Sequence, residues 1–184
     1  MSEPLRITPP LDKGTLARLV AGRRVLITGE VFGARDQAHL RMNEALARGE
    51  ELPFDPRGAI VYYVGPTPGT RGRAVGAAGP TTSTRMDAIC GPLFEAGVAA
   101  TIGKGPRGPD AREAMRKSDA VYLVATGGAG ALLGSRIEKA EVLAYDDLGC
   151  EALRRLTVRD FPAVVAIDAS GRDLFERDSA PDAK

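Results

Sequence analysis

Ala59-Ile60-Val61-Tyr62-Tyr63-Val64-Gly65-Pro66 is an unbroken apolar run closed by a glycine–proline turn. A strand with one face in water alternates apolar and polar residues, whereas a strand covered on both faces has no polar partner positions. The run therefore predicts a doubly buried strand. Comparable short runs flank it: Arg24–Thr28 before Gly29, Val98–Ile102 before Gly103, Ala120–Ala125 before Gly127, then Val142–Tyr145 and Ala163–Asp168. Helical patterns separate them. Lys13–Ala21 is a short one, and Ala38, Met42, Ala45 and Leu46 repeat at three- and four-residue intervals up to Gly49. Further helices are expected from Thr81–Thr84 to Ala96, over Asp110–Lys117, over a small-residue stretch ending at Gly134, and over Leu148–Leu156. Alternating strands and helices predict an α/β layered domain. Residues 1–22 read as a lead-in and 177–184 as a polar, frayed tail. Neither a repeat nor a linker divides the chain, so 1–184 is expected to be a single domain with its core over about 11–175.

Composition narrows the function. The 184 residues carry 25 Lys and Arg against 24 Asp and Glu, a net charge of +1. Such balance gives no field for bulk nucleic-acid or membrane binding, and the absence of Trp argues against a base-stacking platform. Gly 22 and Pro 13 make tight turns frequent. Cys90 and Cys150 lie too far apart for a CxxC pair, and two thiols cannot supply a four-thiolate zinc site or an iron–sulfur cluster. The first residues lack the apolar core of a signal peptide and no run of 18 apolar residues occurs, which predicts a soluble, cytoplasmic protein.

Several predicted strands end in glycine-rich turns that carry a cation or hydroxyls. These are Gly33-Ala34-Arg35-Asp36, Gly79-Pro80-Thr81-Thr82-Ser83-Thr84-Arg85, Gly103-Lys104-Gly105 and Thr126-Gly127-Gly128. Loops at the carboxyl ends of strands in an open α/β sheet converge, so Arg35, Arg85 and Lys104 are expected to face one crevice. Guanidinium forks bind carboxylates bidentately, which suits a small anion with more than one carboxylate. If Thr81 opens a helix, the helix's positive end adds to that field, and Arg85 lies one turn on from Thr81 on the same face. Taken alone, the same residues read as helix caps with a surface cation.

Gly103-Lys104-Gly105-Pro106-Arg107-Gly108 is a literal GxGxxG, but Pro106 and Pro109 delay the helix and Lys104 stands where a pyrophosphate approaches backbone. A phosphate-binding Walker loop is excluded because Lys104 is followed by Gly105. His39 is the only histidine, so no Ser–His pair or histidine metal cluster can form within the chain. Four residues after Arg35, it reads either as a site neighbour or as a packed structural residue. Asp36 and Asp87 read as carboxylates that orient arginines.

At these residues the sequence resembles the β subunit, equivalent to the C-terminal domain, of the class I iron–sulfur fumarase and L-tartrate dehydratase family. The matching pieces are Thr28-Gly29 with Ala34-Arg35-Asp36-Gln37-Ala38-His39, then Tyr62-Tyr63-Val64-Gly65-Pro66. Next come Gly79-Pro80-Thr81-Thr82-Ser83-Thr84-Arg85-Met86-Asp87 and Ile102-Gly103-Lys104-Gly105. Gly127-Gly128-Ala129, Asp146-Asp147-Leu148-Gly149 with Glu151-Ala152, and Asp160-Phe161-Pro162 complete the set. The resemblance spans about residues 11–175, and Ile89 stands where the family has an aromatic side chain.

The resemblance implies a swivelling β/β/α three-layer fold. It implies a hydro-lyase: reversible hydration of fumarate to malate, or dehydration of a related 2-hydroxy dicarboxylate such as tartrate. Arg35, Arg85 and Lys104 would bind substrate carboxylates, and Thr81 would be the base. The [4Fe–4S] cluster would be held by three cysteines of an α partner, and no metal by this chain, in αβ pairs assembling as α2β2. Fumarate, tartrate and methylated fumarates would all fit such a clamp. A non-catalytic anion- or nucleotide-binding module is the other reading of the same loops.

Overall fold

The computed structural model describes residues 3–70 and 72–176. Seven strands form one sheet: β1 (Leu5–Ile7), β2 (Arg24–Gly33), β3 (Ile60–Tyr62), β4 (Ala100–Gly103), β5 (Val121–Val124), β6 (Ile137–Ala144) and β7 (Leu153–Ile167). Their order is β1-β2-β3-β4-β5-β7-β6, with β2 also pairing β7. β1 to β5 run parallel; β7 runs antiparallel to β2, β5 and β6. Because β7 pairs β5 along one edge and β2 along the other, β2, β3, β4, β5 and β7 close into a ring. β7 can do this because it is long, about 50 Å at the usual rise per residue.

Closure explains the doubly apolar strands. Ile60, Tyr62 and Val64 join a buried set that draws on all five ring strands, including Ile27, Ile102, Leu123 and Val165. Their neighbours Ala59, Val61 and Tyr63 join a second set with Met42, Leu93, Phe94 and Met115 from the helices. Successive strand side chains point to opposite faces, so a strand with a core on each side must be apolar at every position. The helices are α1 (Lys13–Arg18), α2 (Asp36–Ala47), α3 (Gly91–Glu95), α4 (Pro109–Lys117) and α5 (Gly130–Ser135).

Two expected helices are absent. Residues 81–96 form no single helix: Thr82 is extended, Ser83–Met86 is one 3₁₀ turn, and α3 begins only at Gly91. Three threonines among four residues favour extended backbone, and Thr81 N, Thr81 O and Ser83 N pair with Tyr63 and Lys104 rather than within a helix. The Leu148–Leu156 helix is replaced by a 3₁₀ turn (Asp146–Glu151), broken at Gly149 with φ 60°, and by the first residues of β7. There Leu153, Leu156 and Val158 are buried, and pairing with both β2 and β6 overrides local propensity. Within the expected lead-in, Leu5 and Ile7 are buried in β1. The expected frayed tail, 177–184, lies outside the described residues.

Candidate functional site at the strand ends

The parallel strands deliver the four expected residues to one edge. Arg35 follows β2 and immediately precedes α2; Lys104 follows β4. β3 places the threonine-rich segment, because Tyr62 Oη donates to Ala78 O and Thr81 N donates to Tyr63 O at 2.7 Å. Lys104 N donates to Thr81 O at 3.1 Å and Ser83 N to Lys104 O at 2.9 Å, so Thr81 and Lys104 lie on adjacent backbones. The stem of Lys104 passes the backbone of Gly127, whose Cβ position lies 3.7 Å from Lys104 Cδ.

Two of the cations meet through an acid. Arg35 Nε donates to Asp36 Oδ2 at 3.0 Å, and Arg85 Nε donates to Asp36 Oδ1 at 3.1 Å. Glu151 Oε1 lies 3.5 Å from Arg35 Nε. Gly65 leaves room beside this pair: a Cβ there would stand 3.3 Å from Arg35 Cδ and 3.4 Å from Cys150 O. Burial opposes ionisation of Asp36, but the hydrogen bond from Arg35 and the charges of Arg85 and Arg35 outweigh it and hold the carboxyl below its usual range. Asp36 is therefore an anion that fixes two guanidiniums, Arg35 through Nε and Arg85 through both Nε and Nη2.

The helix-end field expected at Thr81 is not there, since the extended Thr82 separates Thr81 from a single 3₁₀ turn. Arg85 likewise reaches the site through Asp36, not from one helical turn above Thr81. His39 is buried in α2, with Nδ1 3.1 Å from Arg35 O and its ring edge-on to Tyr63. Burial first, and then the charge of Arg107, push its pKa down to about 4, so the imidazole is neutral and structural.

Sequence reasoning missed Arg107, read only as part of the GxGxxG string. Its side chain is fully buried: Nε donates to Asp87 Oδ1 at 2.6 Å and Nη2 to Cys90 Sγ at 3.1 Å. The signal available was its spacing, three residues after Lys104 in a proline-bounded loop. The guanidinium thus fills the space beneath that loop.

The chain's own residues do not suit an iron–sulfur cluster. Cys90 is buried against Arg107 and burial raises its thiol pKa, while Cys150 is exposed. Among the described residues no three His, Cys, Asp or Glu side chains stand together as metal ligands. None of the described helices is long and apolar enough to cross a membrane.

Two acid-bridged arginines and a lysine thus stand at the parallel strand ends of a mixed α/β domain, and guanidinium forks are side chains suited to carboxylates. Comparison with known proteins sharpens this. The family model "Fumarase C-terminus" matches residues 5–178, and the chain belongs to that family. It is 36% identical over 173 residues to "Fumarate hydratase 2" of Leishmania major, covering 91% of this chain and 30% of that protein. It is 34% identical over 164 residues to "Fumarate hydratase class I, anaerobic" of Escherichia coli, covering 88% and 30%. With the "Putative L(+)-tartrate dehydratase subunit beta" of Methanocaldococcus jannaschii it shares 34% over 172 residues, 90% of this chain and 88% of that one. The chain thus spans about a third of the fumarate hydratases it matches and nearly all of the β subunit.

Proposed function

We propose that the chain is the β component of an iron–sulfur-dependent hydro-lyase acting on a 2-hydroxy dicarboxylate or its unsaturated product, fumarate and malate or tartrate among them. The observation that carries this reading is the Asp36-bridged pair Arg35 and Arg85 beside the paired backbones of Thr81 and Lys104. The similarity to a β subunit over nearly its whole length supports the division into two chains. A [4Fe–4S] cluster would belong to a cysteine-bearing α partner, in αβ pairs assembling as α2β2 in the cytoplasm. The swivelling β/β/α arrangement of the family goes with the same reading.

In this proposal Arg35, Arg85 and Lys104 bind the substrate's two carboxylates. Neutralising them acidifies the carbon next to the one bearing the hydroxyl, since the charge that develops on losing its proton is then stabilised. Thr81 Oγ, as the alkoxide, takes that proton, and the electron pair left on carbon forms the double bond as the hydroxyl departs from the neighbouring carbon. A threonine alkoxide needs a depressed pKa, which the cations carried by adjacent residues favour. Asp36 sets the angle of both arginines and offsets their mutual repulsion, so that the two stay side by side.

Mixing the chain anaerobically with a cysteine-bearing α partner, iron and sulfide tests the proposal. Fumarate or tartrate turnover in the mixture alone is the expected result. Turnover by the isolated chain, or nucleotide binding with no turnover in the mixture, would replace it with another reading.

A further inference from the structure

The Gly103–Gly108 loop that carries Lys104 is held from both ends. Near its start, Tyr122 Oη donates to Gly105 O at 2.8 Å and lies 2.7 Å from Ser83 Oγ. Near its end, Gly108 N donates to Asp87 Oδ2 at 2.6 Å while Arg107 Nε donates to Asp87 Oδ1 at 2.6 Å. Arg107 uses its remaining donors below the loop: Nη1 lies 3.3 Å from Thr101 Oγ1 and 3.4 Å from Tyr63 Oη, and Nη2 lies 3.1 Å from Cys90 Sγ. The rings of Tyr63 and Tyr122 lie 5.5 Å and 5.1 Å from the guanidinium carbon.

A buried ion pair is seldom the most stable way to fill a core, because desolvation offsets the attraction and apolar residues of similar volume often do as well. What a guanidinium adds is direction: a planar fork of donors fixes several partners at once, which the point charge of a lysine cannot do. Asp87 is two residues from Arg85 and six from Thr81; Arg107 is three from Lys104. The pair therefore spans the two segments that carry the proposed clamp.

We infer that Arg107 is a positioning residue, which through Asp87 locks the Lys104 loop onto the Thr81–Asp87 segment and so sets the spacing between Lys104, Thr81 and Arg85. Its side chain is fully buried and does not touch substrate. This inference rests on the clamp role proposed for Lys104.

The test is a double-mutant cycle in the assembled αβ enzyme, with kcat/KM taken per folded site. Arg107→Lys keeps the buried charge and lowers kcat/KM about tenfold or more. Lys104→Ala lowers it as well, and the double variant falls no more than about twofold below Lys104→Ala alone, because the two act through one group. Losses that multiply, or wild-type kcat/KM in Arg107→Lys, overturn the inference. A merely structural role lowers the yield of folded protein and leaves kcat/KM per site unchanged.

Hydrogen exchange in the chain itself separates this inference from the clamp reading. In Arg107→Lys the amides of Lys104 and Ser83, which bridge the two segments, exchange about tenfold faster or more while that of Tyr63 keeps its rate. Exchange that is faster, with Lys104→Ala kinetically silent, retains the lock and removes the clamp; unchanged exchange removes the lock. Asp87→Asn, which removes the carboxylate charge that Arg107 Nε and Gly108 N share, serves the same measurements if Arg107→Lys does not fold.

Discussion

His39 makes a stability prediction whose size can be worked from its surroundings. Its imidazole is buried, bonded to Arg35 O through one nitrogen, and faces the Arg107 charge; burial is the main reason its pKa falls from 6.5 to about 4. The unfolded chain protonates this histidine below pH 6.5 and the folded chain resists until about pH 4. Between those values the unfolded state holds the extra proton, so stability rises with pH. The contribution is fully present above pH 6.5 and is lost progressively as pH falls to 4. A shift from 6.5 to about 4, at about 1.4 kcal/mol per unit, gives about 3 kcal/mol in all. Asp36 does not blur this window, because its lowered pKa places its own loss below the usual aspartate value. Urea unfolding of the wild-type chain and of His39→Gln, from pH 7.5 to 4.5, measures the difference. The two stabilities should converge with a slope approaching 1.4 kcal/mol per pH unit. Parallel pH curves would refute the reasoning and place the imidazole in contact with water.

Three further outcomes follow from the same geometry. A Cβ at Gly103 would overlap Ser83 Oγ and crowd Tyr63, so Gly103→Ala should cost about 1–3 kcal/mol, read as a lower urea midpoint at unchanged m. Asp36→Ala raises the site's net positive charge by one, yet should raise KM for the dicarboxylate, because Arg35 and Arg85 lose the carboxylate that fixes them; tighter binding would show that charge alone matters. Arg35→Ala in the assembled enzyme should also act mainly on KM, and unchanged kinetics would remove it from the clamp.

Much of the fold is legible in Ala59–Val64, whose uninterrupted apolar character requires a core on each face, and Ile60 and Val61 do join different cores. The glycine turns after β2 and β4 also mark where Arg35 and Lys104 stand. What the sequence conceals is long-range pairing. Residues 163–167 are legible as a strand, but the part of β7 before them contains two adjacent arginines and a proline, and is a strand because β2, and over residues 153–158 also β6, pair with it. Thr81–Arg85 resembles a helix start, but both backbone groups of Thr81 and the amide of Ser83 are taken by Tyr63 and Lys104. Arg107 is hidden for a related reason: a charged residue in a glycine loop reads as exposed, and its burial depends on Asp87 and two tyrosines brought from elsewhere in the chain.

The central claim is that this chain supplies the proton acceptor for a dicarboxylate held by its own cations. Exchange of the substrate's C–H proton with solvent deuterium, followed in assembled enzyme carrying Thr81→Ala, tests it most directly. The account predicts that exchange falls by about 10²- to 10⁴-fold, the usual worth of a positioned base, while the substrate's dissociation constant changes little. Exchange at the wild-type rate in that variant would contradict it and place the base outside this chain's Thr81–Lys104 pair.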